Sequence, residues 1–329
     1  MNLSFTIRLS LITMKRRHFH HLLAASMTAA TSFAPLLGHA QPRPLLRAGD
    51  QKGGLQALLD AAGELKNLPY DIKWSEFPAA APLAEALNAD AVDFGPIGDA
   101  PLLFTLAAGS RVKAFAANRS DAYGTAILVA PNSPLKEARD LKGKSIATNR
   151  GSIGHFVTLK ALASVGLKAE DVQLRFISPP DAKLALTQGS VDAWATWEPY
   201  TALAETGRHA RVLVNGRGLW SGLSYLAATD SALRDKHAIL RDFKDRVERA
   251  QLLSYQRPAE FSATLAKIIG IPVEAARLQF ERRATRWQDI DAQVIADQQR
   301  TADFYLQAGL LKQRLDVRNT FDTRFNARG

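Results

Sequence analysis

Two stretches of the chain repeat one pattern at a separation of just under one hundred residues. The first pair, DQKGGLQALL (50–59) and TNRGSIGHFV (148–157), is 98 residues apart; each member reads as a strand end, a glycine turn and a helix start. The second pair is 83–98 and 183–198, in which the two Val-Asp dipeptides lie 99 residues apart between a helix and a strand. Two pairs at nearly one separation predict two similar α/β lobes in tandem.

Short apolar runs alternate with helical segments along most of the chain. Runs such as DIKWSEF (71–77) predict strands, and the segments between consecutive strands have the apolar spacing of helices. This alternation is typical of βαβ units with a mainly parallel sheet. Later the pattern becomes helical, over 233–265, 273–282 and 290–306, and we expect the polar tail 312–329 to wrap over the surface.

Residues 1–40 predict a cleaved signal peptide. They contain no acidic residue and show a basic start at 15–17, an apolar run at 22–37 and a small-residue cleavage site at 38–40. The apolar run is shorter than the ~20 residues that span a membrane. The paired arginines leave both Sec and twin-arginine export open. We therefore expect the mature chain to be periplasmic.

Charge and cysteine content exclude several classes of protein. The full chain has 42 Lys+Arg against 32 Asp+Glu; without the first forty residues the basic count is 38, a net charge of about +6. These basic residues are scattered, which argues against a nucleic-acid surface, whereas a mildly positive field favours an anionic ligand. The absence of cysteine excludes disulfides, thiolate metal sites and a cysteine nucleophile.

Each repeat places glycines and polar side chains at the end of a strand, where open α/β sheets bind ligands. In the first repeat these include Gln51 and Lys52, and in the second the run 149–154. Free N–H groups at such helix starts bind anions, although an ordinary N-cap explains the same residues. Asp99 and Glu198 each lie just before a helix start that contains proline. Each can be read either as a residue that caps the helix or as a ligand contact.

The sequence contains no recognisable catalytic or metal-binding constellation. The histidines beyond the first forty residues, His155, His209 and His237, lack metal-ligand spacing. GSIGH lacks the serine offset of a nucleophile elbow, and phosphate-binding glycine motifs are absent from the sequence. We therefore expect a binding protein, not an enzyme, that needs no cofactor.

Several longer segments resemble the aliphatic sulfonate-binding proteins of ABC importers, within the nitrate/sulfonate/taurine solute-binding group. The most specific are EFPAAAPLAEALNADAVDFGPIGDAP (76–101) and ALTQGSVDAWATWEPY (185–200), and the resemblance extends from Leu45 to Arg318. It implies an α/β chain with the type II periplasmic-binding fold, in which two α/β lobes close on a ligand cleft.

The resemblance also implies the lobes, the ligand and the partner. Lobe one would comprise 45–123 plus 226–329, and lobe two 124–225. The implied ligand is a small anionic organosulfur compound, which a monomeric protein delivers to ABC permease subunits in the inner membrane, with no role for nucleic acid. The implied ligand-binding residues are Gln51, Gly98, Asp99, Gly151, Ser152, His155, Trp194 and Glu198.

One departure from the relatives bears on specificity. Ile153 and Gly154 stand where relatives often have hydroxyl side chains. If those hydroxyls contact ligand, two donors are lost and the preference moves toward bulkier or less polar sulfonates. Nitrate, taurine, a pyrimidine and an aromatic sulfur compound are alternative ligands. An enzyme on the same fold is the alternative class, but the pyrimidine-precursor synthases that resemble it rely on cysteine and histidine chemistry.

Overall fold

Two β-sheets, each flanked by helices, form the part of the chain that the computed structural model describes, residues 43–327. These residues belong to one compact unit. The signal peptide expected at 1–40 lies outside the described residues. None of the described helices is long and apolar enough to cross a membrane.

The first sheet has six strands in the order β2-β1-β3-β10-β4-β11. Strands β2, β1 and β3 are parallel, and β10 runs antiparallel between β3 and β4. The strands are β1 (Leu45–Gln51), β2 (Asp71–Phe77), β3 (Phe94–Gly98), β4 (Lys113–Arg119), β10 (Leu223–Ala228) and β11 (Arg286–Gln288).

The second sheet has five strands in the order β7-β6-β8-β5-β9. It repeats the first arrangement, because β7, β6 and β8 are parallel and β5 runs antiparallel between β8 and β9. The strands are β5 (Ala126–Val129), β6 (Ser145–Thr148), β7 (Gln173–Phe176), β8 (Ala193–Thr196) and β9 (Arg211–Asn215).

Each antiparallel strand enters its sheet directly from the other lobe. Strand β5 follows β4 in the chain, and β10 follows β9, so the chain crosses between lobes at 119–126 and 215–223. The predicted repeat is confirmed by this shared topology. The predicted lobe boundary is slightly displaced, because Leu223, Ser224 and Tyr225 already pair with β4 of the first sheet.

Eleven helices connect and cover the strands within the described residues. They are α1 (Leu55–Ala62), α2 (Ala80–Asn88), α3 (Asp99–Ala107), α4 (Ile153–Ser164), α5 (Pro179–Thr187), α6 (Tyr200–Thr206), α7 (Asp230–Asp235), α8 (His237–Gln256), α9 (Pro258–Ile269), α10 (Val273–Arg283) and α11 (Ala292–Gln307). The helical stretch predicted at 233–265 is three helices, and Pro258 begins the third of them, since proline is compatible with the first helical turn.

The C-terminal tail contributes to the core, which corrects the expectation of a surface wrap. Val317 and Phe325 are fully buried, and Phe321 forms a parallel bridge with Ala114 of β4. The Phe325 ring packs 4.9 Å from the ring of Phe115. Apolar residues spaced four apart in a polar segment therefore anchor the tail against the first sheet.

Candidate ligand-binding cleft

A cavity of about 210 Å³ lies where the carboxyl ends of the two parallel strand sets meet. The first lobe lines it with Gln51 and Gly98, the last residues of β1 and β3. The second lobe lines it with Ser152, Trp197 and Glu198, which follow β6 and β8. Both lobes thus present strand ends and helix starts to one enclosed space, as expected for this topology.

Four of the eight predicted residues line this cavity and four do not. The four in the wall are Gln51, Gly98, Ser152 and Glu198. The other four are Gly151, which is partly exposed, and the buried Asp99, His155 and Trp194.

The Asp99 carboxylate is buried and accepts hydrogen bonds from several groups around it. Its carboxylate accepts hydrogen bonds from the Trp220 indole at 2.8 Å and the Ala100 amide at 2.7 Å, and contacts the hydroxyl of Thr301 at 3.3 Å. Burial raises the pKa of Asp99 to about 6. Asp99 begins α3, with Gly98 as its N-cap, and connects this helix to α11 and to the interlobe segment.

The two glycine turns have the same backbone conformation but different electrostatics. Gly53 and Gly151 both adopt positive φ, at 71° and 70°. In the first lobe the Asp50 carboxylate accepts hydrogen bonds from Leu55 N at 3.0 Å and Gln56 N at 2.7 Å. The start of α1 therefore already holds an anion, supplied by the chain itself, and burial raises the pKa of that carboxyl to about 6.

The matching turn in the second lobe contains no carboxylate. Ser152 caps α4, its hydroxyl accepting from His155 N at 3.1 Å, while Gly151 N donates to His155 Nδ1 at 3.3 Å. Burial, followed by the charge of Arg150, lowers the pKa of His155 to about 4, so the ring is neutral near pH 7. The start of α4 is thus the helix end at which an external anion has no internal competitor.

The two tryptophans of 191–200 have different roles. Trp194 is 1% exposed and belongs to the core beneath α5 and α6, with its ring 6.3 Å from that of Tyr200. Both faces of β8 are buried, and none of its residues lines the cavity. Trp197, just past the end of the strand, lines the cavity instead.

Glu198 is buried in the cavity wall, and one of its carboxylate oxygens accepts no hydrogen bond from the described residues. Its Oε2 accepts from Ala202 N at 2.9 Å, whereas Oε1 accepts no hydrogen bond among the described residues. The nearest cation is Arg282, whose Nη1 lies 3.7 Å from Oε1. Burial raises the pKa of Glu198 to about 7, against the smaller opposing effects of the Ala202 amide and Arg282.

Among the described residues, the acidic side chains that line the cavity have partners within the chain, whereas the basic side chains form no ion pair. The lining carboxylates are engaged: Asp50 with α1, Asp121 with Arg217 at 2.7 Å, and Glu198 as above. The lining cations, Lys52 and Arg283, form no ion pair within the described part of the chain. An anionic ligand would therefore meet unpaired positive charge and neutralised negative charge.

The C-terminal segment supplies cavity residues that the sequence did not single out. Gln279, Phe280 and Arg283 come from α10, and Thr285 and Trp287 come from the segment entering β11. No motif marks these residues, because their helix reads as an ordinary amphipathic segment. Among residues 43–327 no group of three or more potential ligands is placed to hold a metal ion.

Comparison with known proteins identifies the family. Residues 74–261 match the family described as NMT1/THI5 like. The chain is 34% identical to the aliphatic sulfonates-binding protein of Escherichia coli (strain K12) over 307 residues, which span 92% of this chain and 95% of that protein. The chain belongs to the NMT1/THI5-like family. The resemblance predicted from residues 76–101 and 185–200 is thereby confirmed.

Solved structures in the same family confirm the fold. The alkanesulfonate-binding protein of Xanthomonas axonopodis pv. citri, solved with MOPS bound, matches with a TM-score of 0.79 and 33% identity, covering 86% of this chain and 99% of that one. The periplasmic aliphatic sulphonate binding protein of Escherichia coli matches at 0.75 and 34% identity, with 84% and 97% covered. The predicted periplasmic-binding architecture of two α/β lobes is confirmed.

Proposed function

We propose that this protein is a periplasmic solute-binding protein that holds a small organosulfonate between its lobes and delivers it to the permease of an ABC importer. The observation that carries this is the unpaired Arg283 and Lys52 in a cavity whose carboxylates are already engaged. Family membership supports the same role, because the Escherichia coli relative at 34% identity is named for binding aliphatic sulfonates.

The chemistry of a sulfonate suits the groups in the cavity wall. A sulfonate is anionic at any physiological pH and carries three acceptor oxygens, which need several donors. The Ser152 hydroxyl at the start of α4, the Gln51 amide and the Arg283 guanidinium all line the cavity. Trp197 offers apolar surface for the alkyl part of such a ligand.

Calorimetry of the chain without residues 1–40 tests the ligand class. We expect heat of binding with alkanesulfonates and much weaker binding of sulfate and nitrate, which lack an alkyl group. Taurine separates sulfonate recognition from recognition of an apolar tail. Equal binding of all four, or binding of none, would refute the sulfonate assignment.

The proposed role excludes catalysis. The desulfurization enzyme among more distant structures shares only the fold with this chain, at 20% identity and a TM-score of 0.58. Incubation with sulfonates, followed by mass spectrometry, should return each compound unchanged, and sulfite release would reverse this assignment. Tryptophan fluorescence should change on binding, since Trp197 and Trp220 line the cavity.

The location and the partner follow from the same role. We expect the chain to be recovered in the periplasmic fraction without residues 1–40, as a monomer. It should stimulate ATP hydrolysis by the importer in vesicles only when a sulfonate is present. Stimulation that is independent of the ligand would contradict a delivery role.

A further inference from the structure

Four cavity-lining residues form a row across the first sheet. Strand register places Gly98 opposite Ser224, Ser224 opposite Asn118, and Asn118 opposite Trp287. All four line the cavity. Residues opposite one another in neighbouring strands point to the same face, and strands lie ~4.8 Å apart, so the row is roughly 14 Å long.

The two ends of this row have different neighbours. At the Gly98 end the second lobe approaches closely, with Ile153 Cγ2 only 3.1 Å from the place that a Cβ on Gly98 would occupy. Ile153 begins α4, so this end adjoins the helix start proposed to bind the sulfonate. The Trp287 end lies about three strand spacings further along, toward α10.

Beyond the row, the cavity continues into the first lobe between its sheet and its helices. Its walls there are Leu58 of α1, Leu226 of β10, Leu265 of α9 and Phe280 of α10. These side chains come from one side of the sheet, where α1, α8 and α9 form a common core. An elongated ligand thus meets an apolar chamber after leaving the cleft between the lobes.

Two polar atoms in this part of the cavity have no hydrogen-bond partner among the described residues. They are the acceptor Asn118 Oδ1 and the donor Trp287 Nε1. Asn118 is only 8% exposed, and the two residues are direct cross-strand neighbours. A buried polar group without a partner is unfavourable, so an unsatisfied acceptor and an unsatisfied donor on paired strands point to a bound group that supplies the complement of both.

We propose that Asn118 and Trp287 form a second binding subsite, for a neutral hydroxyl at the far end of the sulfonate's tail. This inference rests on the proposed function and specifies the class of sulfonate. A hydroxyl donates to Asn118 Oδ1 and accepts from Trp287 Nε1 at once. An ammonium group has no acceptor for the indole N–H, and a carboxylate has no donor for the amide oxygen.

An isosteric pair of ligands tests the subsite. In 8-hydroxyoctane-1-sulfonate and nonane-1-sulfonate the chain length is equal and suits the length of the row, and only the terminal OH and CH3 differ. Apolar walls alone would favour nonane-1-sulfonate. With the subsite, calorimetry should show the hydroxyl compound bound at least about fivefold more tightly, the value of one net hydrogen bond.

Variants assign the preference to the two residues. Trp287→Phe removes the N–H and keeps an aromatic ring, and Asn118→Leu replaces the amide by an apolar group of similar size. Each should reduce the preference to about unity or reverse it in favour of nonane-1-sulfonate. Trp74→Phe, on β2 and outside the cavity wall, is the matched control and should leave the ratio unchanged.

The outcomes separate failure of the subsite from failure of the function. If both ligands bind and the ratio favours nonane-1-sulfonate in wild type, water satisfies Asn118 and Trp287 and the subsite is refuted while the function stands. A ratio that the two variants leave unaltered also refutes it. If the folded protein binds neither ligand, the proposed function fails and the subsite fails with it.

Discussion

Arg282 of α10 forms an ion pair with Glu205 of α6, and so joins the C-terminal helices of the first lobe to the second lobe. The two side chains are only 15% and 21% exposed, which limits screening by solvent. The Arg282 guanidinium also lies 4.9 Å from the centre of the Tyr123 ring, beside the first interlobe crossing. This pair is available to hold the closed arrangement of the lobes.

Loss of that pair should weaken ligand binding without contact to the ligand. Because a ligand between lobes binds the closed state, destabilising closure lowers the apparent affinity. Arg282→Met should raise Kd roughly tenfold, as expected when a largely buried partner is removed. Arg277→Met, which breaks the exposed Arg277–Glu281 pair on the same helix, is the control and should leave Kd unchanged. Small-angle scattering should show a larger radius of gyration only for the first variant.

Arg283 should contribute directly to affinity for the anionic head. A hydrogen bond to a charged group contributes about 1.5–3 kcal/mol, so Arg283→Gln should raise Kd for a sulfonate by roughly 10- to 100-fold. Arg286→Gln, at an exposed position of β11, is the matched control. Calorimetry at two salt concentrations provides a second measurement, because the salt dependence should decrease only in the Arg283 variant. A Kd within twofold of wild type would exclude Arg283 from the head site.

Glu198 should make sulfonate binding weaker at alkaline pH. Burial raises the pKa of Glu198 to about 7, so the group is neutral below that pH and negative above it. A negative Glu198 beside an anionic ligand lowers affinity, and Kd should rise up to roughly tenfold between pH 6 and pH 8.5. Arg282, Arg283 and Glu205 are the charged groups that face the same carboxyl.

The Glu198→Gln variant separates this effect from other titrations. Its Kd should be nearly constant between pH 7 and pH 8.5, because His155 is already neutral there and Asp50 and Asp99, each with a pKa of about 6, are already ionised. An unchanged pH profile in the variant would mean that another group governs the dependence.

Replacing Gly154 by serine should affect stability, whereas replacing Ile153 by serine should affect ligand preference. A Cβ on Gly154 would lie 2.9 Å from Ala195 O and 3.1 Å from Thr148 Oγ1, so Gly154→Ser should destabilise the fold by about 1–3 kcal/mol and add no ligand donor. Ile153 lines the cavity, and Ile153→Ser should favour taurine over hexane-1-sulfonate relative to wild type. Chemical denaturation and calorimetry measure the two effects. A shifted ligand preference in the Gly154 variant would contradict this division.

Asp99 should contribute to stability more than to specificity. Asp99→Ala leaves the Trp220 indole and the Ala100 amide without their acceptor and should cost about 3 kcal/mol of unfolding free energy. Asp99→Asn keeps an acceptor and should cost less. Asp60→Ala, on the exposed side of α1, is a control that should be near neutral. Unchanged stability of the alanine variant, with altered ligand preference, would support a ligand contact instead.

Much of the fold was predictable because strands and helices are determined largely by the order of apolar and polar residues within short segments. Alternating apolar runs gave the strands and helices, and the offset of just under one hundred residues predicted two similar lobes, which share one strand order. The rule that ligands bind at strand ends correctly placed Gln51, Gly98 and Ser152 in one cavity wall. Strand β11 and the buried tail were missed, since three residues of strand or three apolar residues in an otherwise polar segment are too few for a clear signal.

By itself, the sequence determined the α/β class, the two lobes, the family and the strand ends that surround the cleft. Tertiary structure alone decided which polar groups are free to bind. The Asp50 carboxylate accepts hydrogen bonds from the free N–H groups at the start of α1. Trp194 is buried because both faces of its strand, β8, are covered. Asn118 and Trp287 become neighbours only through the pairing of β4 with β11. Hydrogen-bond partners and burial depend on segments distant in sequence, and local patterns contain no information about such contacts.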